Sequence, residues 1–153
     1  MKQESGRSMI EMIGVLAIMA IITAGAFVLI TTAFSTQKRS KTVDDVASIV
    51  TGVRSLLGDY DDFSGIDNST IFGAIAVSNK NPYGGTYELA VNTANPRQFI
   101  VSINGLSKSE CAGLVTKAWT DSVGYKESNH KESGAKGDCV DGNKNVVSII
   151  YGE

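Results

Sequence analysis

The sequence predicts an α+β fold, with one long N-terminal helix packed under a small antiparallel sheet. Three observations predict it. Met12 to Gln37 is a run of 26 residues without a charge. The helical spacing of apolar residues then continues beyond this run as far as Leu57. After Gly85 the apolar period changes from helical spacing to two, the period of a strand.

The helix comes first. Twenty-six uncharged residues rise about 39 Å at ~1.5 Å per residue. A hydrocarbon core is about 30 Å thick, so the run is long enough to cross a bilayer. A secretory signal peptide has only about 7–15 apolar residues, with its cleavage site after them. Here the apolar stretch is longer, and the only candidate processing site, Gly6-Arg7, lies before it. Residues 7–37 therefore read as a transmembrane segment. From Lys41 onward Val43, Val46, Ala47, Val50, Val53 and Leu57 recur at three- and four-residue steps, an amphipathic stripe. Asp44, Asp45, Ser48, Thr51 and Arg54 fall off it, and Gly58 provides a stop. One helix is expected from near Ser8 to Leu57, with 38–57 as its amphipathic continuation. Gly14 and Gly25 interrupt the apolar half. Each costs about 1 kcal/mol in a helix interior, but small residues allow helices to approach closely in lipid.

Residues 58–153 read as the globular domain. Asp59 to Gly85 is loop-rich, with a short helix over Thr70–Val77 and Ser69 as its cap. Thr86–Val91 and Gln98–Ile103 are β-branched and aromatic-rich, as strands are. Asn92 to Pro96 supplies the turn between them, and Asn81 to Gly85 the turn before them. A second helix follows, opened by a Ser107–Glu110 capping box, with Cys111, Leu114, Val115 and Ala118 on one face. Asp121 to Gly137 reads as a polar loop. Asn145 to Tyr151 reads as a final, largely buried strand.

Charge divides the chain. Residues 1–41 carry five basic and two acidic residues, net +3, whereas residues 42–153 carry nine and fourteen, net −5. An acidic domain is a poor match for nucleic acid, which rewards basic patches, so nucleic acid is not expected as a direct ligand. Asp59, Asp61, Asp62 and Asp67 invite a calcium reading. The EF-hand spacing fails, because Thr70 stands at its twelfth position, and a solvated acidic loop is expected instead. The only histidine, His130, lies in a polar loop with no arguable nucleophile. No phosphate-binding glycine loop or HExxH motif appears. No enzyme activity, cofactor or metal is expected.

Glu11 is the one acid at the head of the apolar run. A carboxylate at a membrane edge is costly unless paired, and its default reading is functional. Ser5-Gly6-Arg7-Ser8-Met9-Ile10-Glu11, followed by Met12-Ile13-Gly14-Val15-Leu16-Ala17-Ile18, resembles the N-terminus of a type IV prepilin. The resemblance implies a leader over residues 1–6, cut after Gly6 by a prepilin peptidase that methylates the new amine at Arg7. Arg7 stands where the family usually carries Phe, Met or Leu. Glu11 then becomes the fifth residue of the mature chain, as the family has it. The resemblance further implies a subunit stored in the bilayer and passed by an inner-membrane assembly platform into a fibre of like subunits. Its apolar helix would pack in the fibre core. Glu11 would pair with the Arg7 amine of a neighbour and so fix axial register, because a lone buried charge is strongly destabilising.

Two cysteines 28 positions apart, Cys111 and Cys139, do not make a zinc site. Outside the cytoplasm they are most simply one disulfide. This resembles the type IVb branch, in which a disulfide brackets the C-terminal region, here 111–139. Ala24-Gly25 is also similar to an Ala-Gly of that branch. A count of cations flanking the span favours its C-terminal side as cytoplasmic, since Lys38, Arg39 and Lys41 follow it and only Lys2 and Arg7 precede it. The family orientation is the reverse, and the cysteine pair agrees with the family.

The expected function is that of a pilin serving adhesion, aggregation, motility or DNA transfer. It would be held in the bacterial inner membrane by one span, domain outside the cytoplasm, and become extracellular in the fibre. One alternative is a pseudopilin of a type II secretion system, one branch of which has a Pro-Tyr loop that Asn81-Pro82-Tyr83 resembles; the cysteine pair weighs against it. A membrane-anchored binding protein that never polymerises is the other alternative.

Overall fold

A computed structural model describes residues 9–58, 62–127 and 139–153. Gly6, Arg7, Asp59, Asp61 and His130 lie outside the described residues. The elements run in the order α1 (Met9–Leu57), α2 (Asn68–Ala74), β1 (Tyr87–Val91), β2 (Gln98–Leu106), α3 (Lys108–Val115), β3 (Ser122–Glu127) and β4 (Asn145–Gly152). The chain divides into two compact units, Met1–Gln37 and Lys38–Glu153.

The second unit is a four-stranded antiparallel sheet of order β1-β2-β4-β3, packed on the second half of α1. Tyr87 pairs with Ile103 and Val91 with Phe99 across β1 and β2. Phe99 pairs with Tyr151, Val101 with Ile149 and Ile103 with Val147 across β2 and β4. Alternate residues of a strand share a face, so these pairings align Phe99, Val101, Ile103, Val147, Ile149 and Tyr151 on one buried surface. Phe99 lies edge-on to Phe63 at 4.8 Å between ring centres and stacks on Tyr151 at 5.6 Å.

Helix α1 supplies Val46, Ile49, Val50 and Val53 to this core, with Thr42 buried a turn earlier. The stripe read from sequence differs in two places. Ala47 is exposed, and Ile49 is fully buried in its stead. The buried face is rotated toward Thr42 and Ile49, each one position before a valine of the expected stripe, Val43 and Val50. Gly58 ends the helix and donates its N–H to the Arg54 carbonyl at 2.8 Å.

The cap of α2 is Asp67 rather than Ser69, and the helix covers Asn68–Ala74 rather than Thr70–Val77. The carboxylate accepts the Thr70 N–H at 2.9 Å and the Thr70 hydroxyl at 2.7 Å, and the Ser69 hydroxyl as well. A carboxylate with free lone pairs takes all three donors, which a hydroxyl cannot. These hydrogen bonds, led by that from Ser69, hold the Asp67 carboxyl at about 2. Asn68 then acts as a partner for the edge of β1. Its side-chain oxygen accepts the Leu89 N–H at 2.7 Å, and its amide donates to the Leu89 carbonyl at 3.1 Å.

Residues 121–137 are not a loop throughout. Ser122–Glu127 forms β3 and pairs with β4, with a register shift between Ser122 and Gly124. The open edge of β4 offers a row of unpaired backbone groups, and that edge recruits a segment whose own pattern is polar. Strand β2 runs on to Leu106 through a bulge at Asn104-Gly105, where Gly105 has φ +78°. Gly85 is fixed by this bulge, since a Cβ there would lie 1.9 Å from the Asn104 carbonyl oxygen.

The capping box at α3 is formed: Ser107 Oγ accepts the Glu110 N–H at 3.4 Å, and Glu110 accepts the Ser107 N–H at 2.8 Å. Ala118 is exposed, because α3 ends at Val115 before its face reaches that residue. Trp119 folds back, and its ring N–H donates to the Leu114 carbonyl at 3.1 Å. A disulfide joins Cys111 on α3 to Cys139, with Cα atoms 5.9 Å apart. Asn145 secures the same corner from inside. Fully buried, it accepts the Val140 N–H at 2.8 Å and faces the Leu106, Val140 and Gly142 carbonyls with its amide.

Two expectations follow. Burial raises the phenols of Tyr83 and Tyr87 and pushes Tyr151 up to about 12, from the ordinary 10.0. A raised acid favours the folded state in its neutral form. The stabilisation is thus whole below pH 10 and is lost as pH rises through 12. Absorbance of phenolate should therefore show three tyrosines ionising late, together with loss of the fold. Replacing both Cys111 and Cys139 with Ala should lower stability by roughly 3–4 kcal/mol on the chain-entropy account. Urea unfolding of the full chain in detergent measures it, and an unchanged midpoint would contradict the assigned role of the bond.

Candidate assembly site

The first unit offers a different surface. Every described residue from Met9 to Lys41 is exposed in the single chain. The helix contains an 18-residue window of mean hydropathy 2.7, long and apolar enough to cross a membrane. Ile10, Ile13, Leu16, Ile21, Phe27, Leu29 and Phe34 are each 60% exposed or more. Apolar surface on this scale exceeds what a soluble monomer leaves uncovered, and such a surface marks a membrane or a protein partner.

The hydroxyls between Thr23 and Thr36 are already satisfied. The Thr23 hydroxyl donates to the Met19 carbonyl at 2.8 Å, and Thr31 and Thr32 both donate to the Val28 carbonyl. Ser35 and Thr36 both donate to the Thr32 carbonyl. A hydroxyl bonded to its own helix adds little cost to burial in an apolar medium. Gly14 and Gly25 leave open space on the helix, with nothing within 4 Å of a Cβ built at either position. No contact among the described residues accounts for them.

Glu11 is the sole acid of this segment. It sits in the first described turn of α1, and it is exposed. Gly6 and Arg7 are not among the described residues, so no distance relates them to Glu11 here. Cys111 and Cys139 belong to the other unit, away from this segment in sequence. Of the acidic residues around 59–67, Asp62 and Asp67 are described, and each is used locally. Asp62 accepts the Ser64 N–H at 2.9 Å, and Asp67 is spent on its cap. Among the described residues no group of three His, Cys, Asp or Glu could hold a metal ion.

Four residues with structural roles went unread in the sequence: Arg39, Asp67, Asn68 and Asn145. Asp67 was legible as a competing cap two positions before Ser69. Arg39 and Asn145 carry no local signal. The Arg39 guanidinium donates to the Gly113 carbonyl on α3 and fills the space where a side chain at 113 would stand. Asn145 reaches Leu106, distant in sequence.

No protein-family model matches the chain. Whole proteins do. The chain is 30% identical over 138 residues to the major structural subunit of bundle-forming pilus from Escherichia coli O127:H6, covering 81% of this chain and 70% of that one. The same protein from Escherichia coli O111:H- matches equally. The toxin coregulated pilin of Vibrio cholerae serotype O1 is 27% identical over 128 residues, covering 74% of this chain and 57% of its own. With the long apolar helix, the four-stranded sheet and the disulfide all in place, these relatives identify the fold's family: the chain belongs to the type IVb pilins, the structural subunits of type IV pili.

Proposed function

We propose that the chain is cut by a prepilin peptidase between Gly6 and Arg7, methylated at Arg7, and polymerised through residues 9–37 into a surface fibre. The observation that carries this reading is the placement of Glu11, one carboxylate at the head of a wholly exposed apolar helix. Before assembly a bilayer covers the helix, with the disulfide-bonded domain on the oxidising side of the inner membrane. An assembly platform in that membrane then transfers the subunit to the fibre, where copies of the same helix replace lipid.

Burial in the fibre core removes Glu11 from water. Its charge then needs a partner, and the amine at Arg7 of a neighbouring copy supplies one. A single stagger satisfies both charges, so the pair sets register where apolar packing alone would allow sliding. Gly14 and Gly25 give the neighbouring helices room to approach.

Intact-mass measurement of fibre protein should show loss of Met1–Gly6 and one added methyl. An uncut N-terminus in assembled protein would remove the basis for the proposal. Glu11→Ala should abolish or strongly reduce fibre yield while membrane levels hold. It leaves an unpaired buried cation in every subunit, worth about 3–5 kcal/mol. Domain stability should move by less than about 0.5 kcal/mol, because the substitution is at an exposed site away from the core. Glu11→Gln should behave alike, since an amide cannot neutralise the amine. Wild-type fibre yield from either variant would make the acid a bystander.

A further inference from the structure

The uncharged run ends abruptly. Lys38, Arg39 and Lys41 place three cations within four residues directly after Gln37, and α1 carries all three without a break. All three are exposed. Arg39 also reaches the Gly113 carbonyl, and Lys41 pairs with Asp45 at 3.1 Å while 64% exposed. The Asp45 side chain is only 13% exposed, so the Lys41 ammonium is the open end of this pair, with further N–H donors left for a second anion. Lys38 makes no ion pair among the described residues.

These cations stand on the side that the flanking-charge rule would keep cytoplasmic. Their retention there calls for a compensating role, and the spacing indicates one. Lys38 follows Glu11 by 27 positions, about 40 Å of helix rise at ~1.5 Å per residue. A bilayer with its headgroups is about 40–45 Å thick. With Lys38 among the headgroups of one leaflet, Glu11 lies among those of the other, hydrated until assembly. Asp44 and Asp45 follow at once, and residues 42–153 are net −5, so the rest of the domain is repelled by an anionic surface. On the domain side of the span these three are the cations nearest to it in sequence.

We propose that Lys38, Arg39 and Lys41 form an anchor for the phosphates of anionic phospholipids, fixing the depth of the stored subunit in the bilayer. The proposal rests on the reading of residues 9–37 as a bilayer span. Lysine stems extend along apolar surface and deliver the ammonium to the headgroups. The Arg39 guanidinium has five N–H donors, and the Gly113 carbonyl takes one, which leaves others for a phosphate.

The test places the full chain in nanodiscs of phosphatidylcholine, with or without phosphatidylglycerol, and follows amine acylation by mass spectrometry. A disc presents both leaflets, so the result does not depend on cellular orientation or on fibre formation. Failure of the anchor is thereby distinguishable from failure of the fibre reading, which Glu11→Ala probes. Phosphatidylglycerol should slow acylation of Lys38 and Lys41 about fivefold each, the ratio expected for one cation at an anionic surface. Added salt should restore it, and Lys80 and Lys144 should not change. In the Lys38→Gln, Lys41→Gln double variant, which leaves the Arg39 contact in place, phosphatidylglycerol retained in native mass spectra should fall. Equal acylation in both discs would overturn the proposal. So would protection that needs two copies per disc rather than the anionic lipid, which would assign the cations to a neighbouring subunit.

Discussion

An apolar helix with no charge between Met12 and Gln37 cannot remain in water, and the rest of the protein is arranged around that constraint. No described residue of the single chain covers it. Lipid covers it equally on all sides and asks only for length and satisfied polar groups, which the hydroxyls bonded to their own helix provide. Like helices cover it too, but they ask for room and for charge balance. Gly14, Gly25 and Glu11 are the three residues that lipid storage does not require. In the proposed fibre these three residues serve the packed helices.

The second half of the same helix meets a different constraint. From Thr42 to Val53 its apolar residues close one face of a core whose other face is the sheet. That sheet has two edges to protect. Asn68 occupies part of the β1 edge by donating and accepting at Leu89, and β3, the other edge strand, closes the side of β4 that β2 leaves open. The C-terminal corner is then held by bonds of unlike kinds: the Cys111–Cys139 disulfide, the buried Asn145 amide and the Arg39 contact to α3. A small acidic domain with one modest core depends on such local ties, because buried apolar area alone stabilises small domains weakly.

The parts of this fold that were legible in sequence are those governed by periodicity. A 49-residue helix, the β1–β2 hairpin and the last strand follow from spacing of apolar residues alone. The Ser107–Glu110 cap was legible because both partners lie within one turn. Strand β3 was not, because Gly124, Lys126 and Glu127 give it no strand pattern, and the open edge of β4 determines its conformation. Ile49 was missed because the valine series offered a consistent stripe one position away. Of the proposed assembly site, the exposed apolar run headed by Glu11 was legible from charge placement. The Arg39 contact was not, since a long exposed side chain shows its partner only once α3 has been placed beside it.

The central claim is that residues 9–37 form the core of a fibre in which Glu11 is neutralised by a neighbour. A reconstruction of the native fibre at side-chain detail tests it most directly. The account predicts helices of separate copies packed along residues 9–37, with the Glu11 carboxylate within hydrogen-bond distance of another copy's N-terminal amine. A fibre in which Glu11 faces solvent, or in which residues 9–37 lie outside the core, would contradict it.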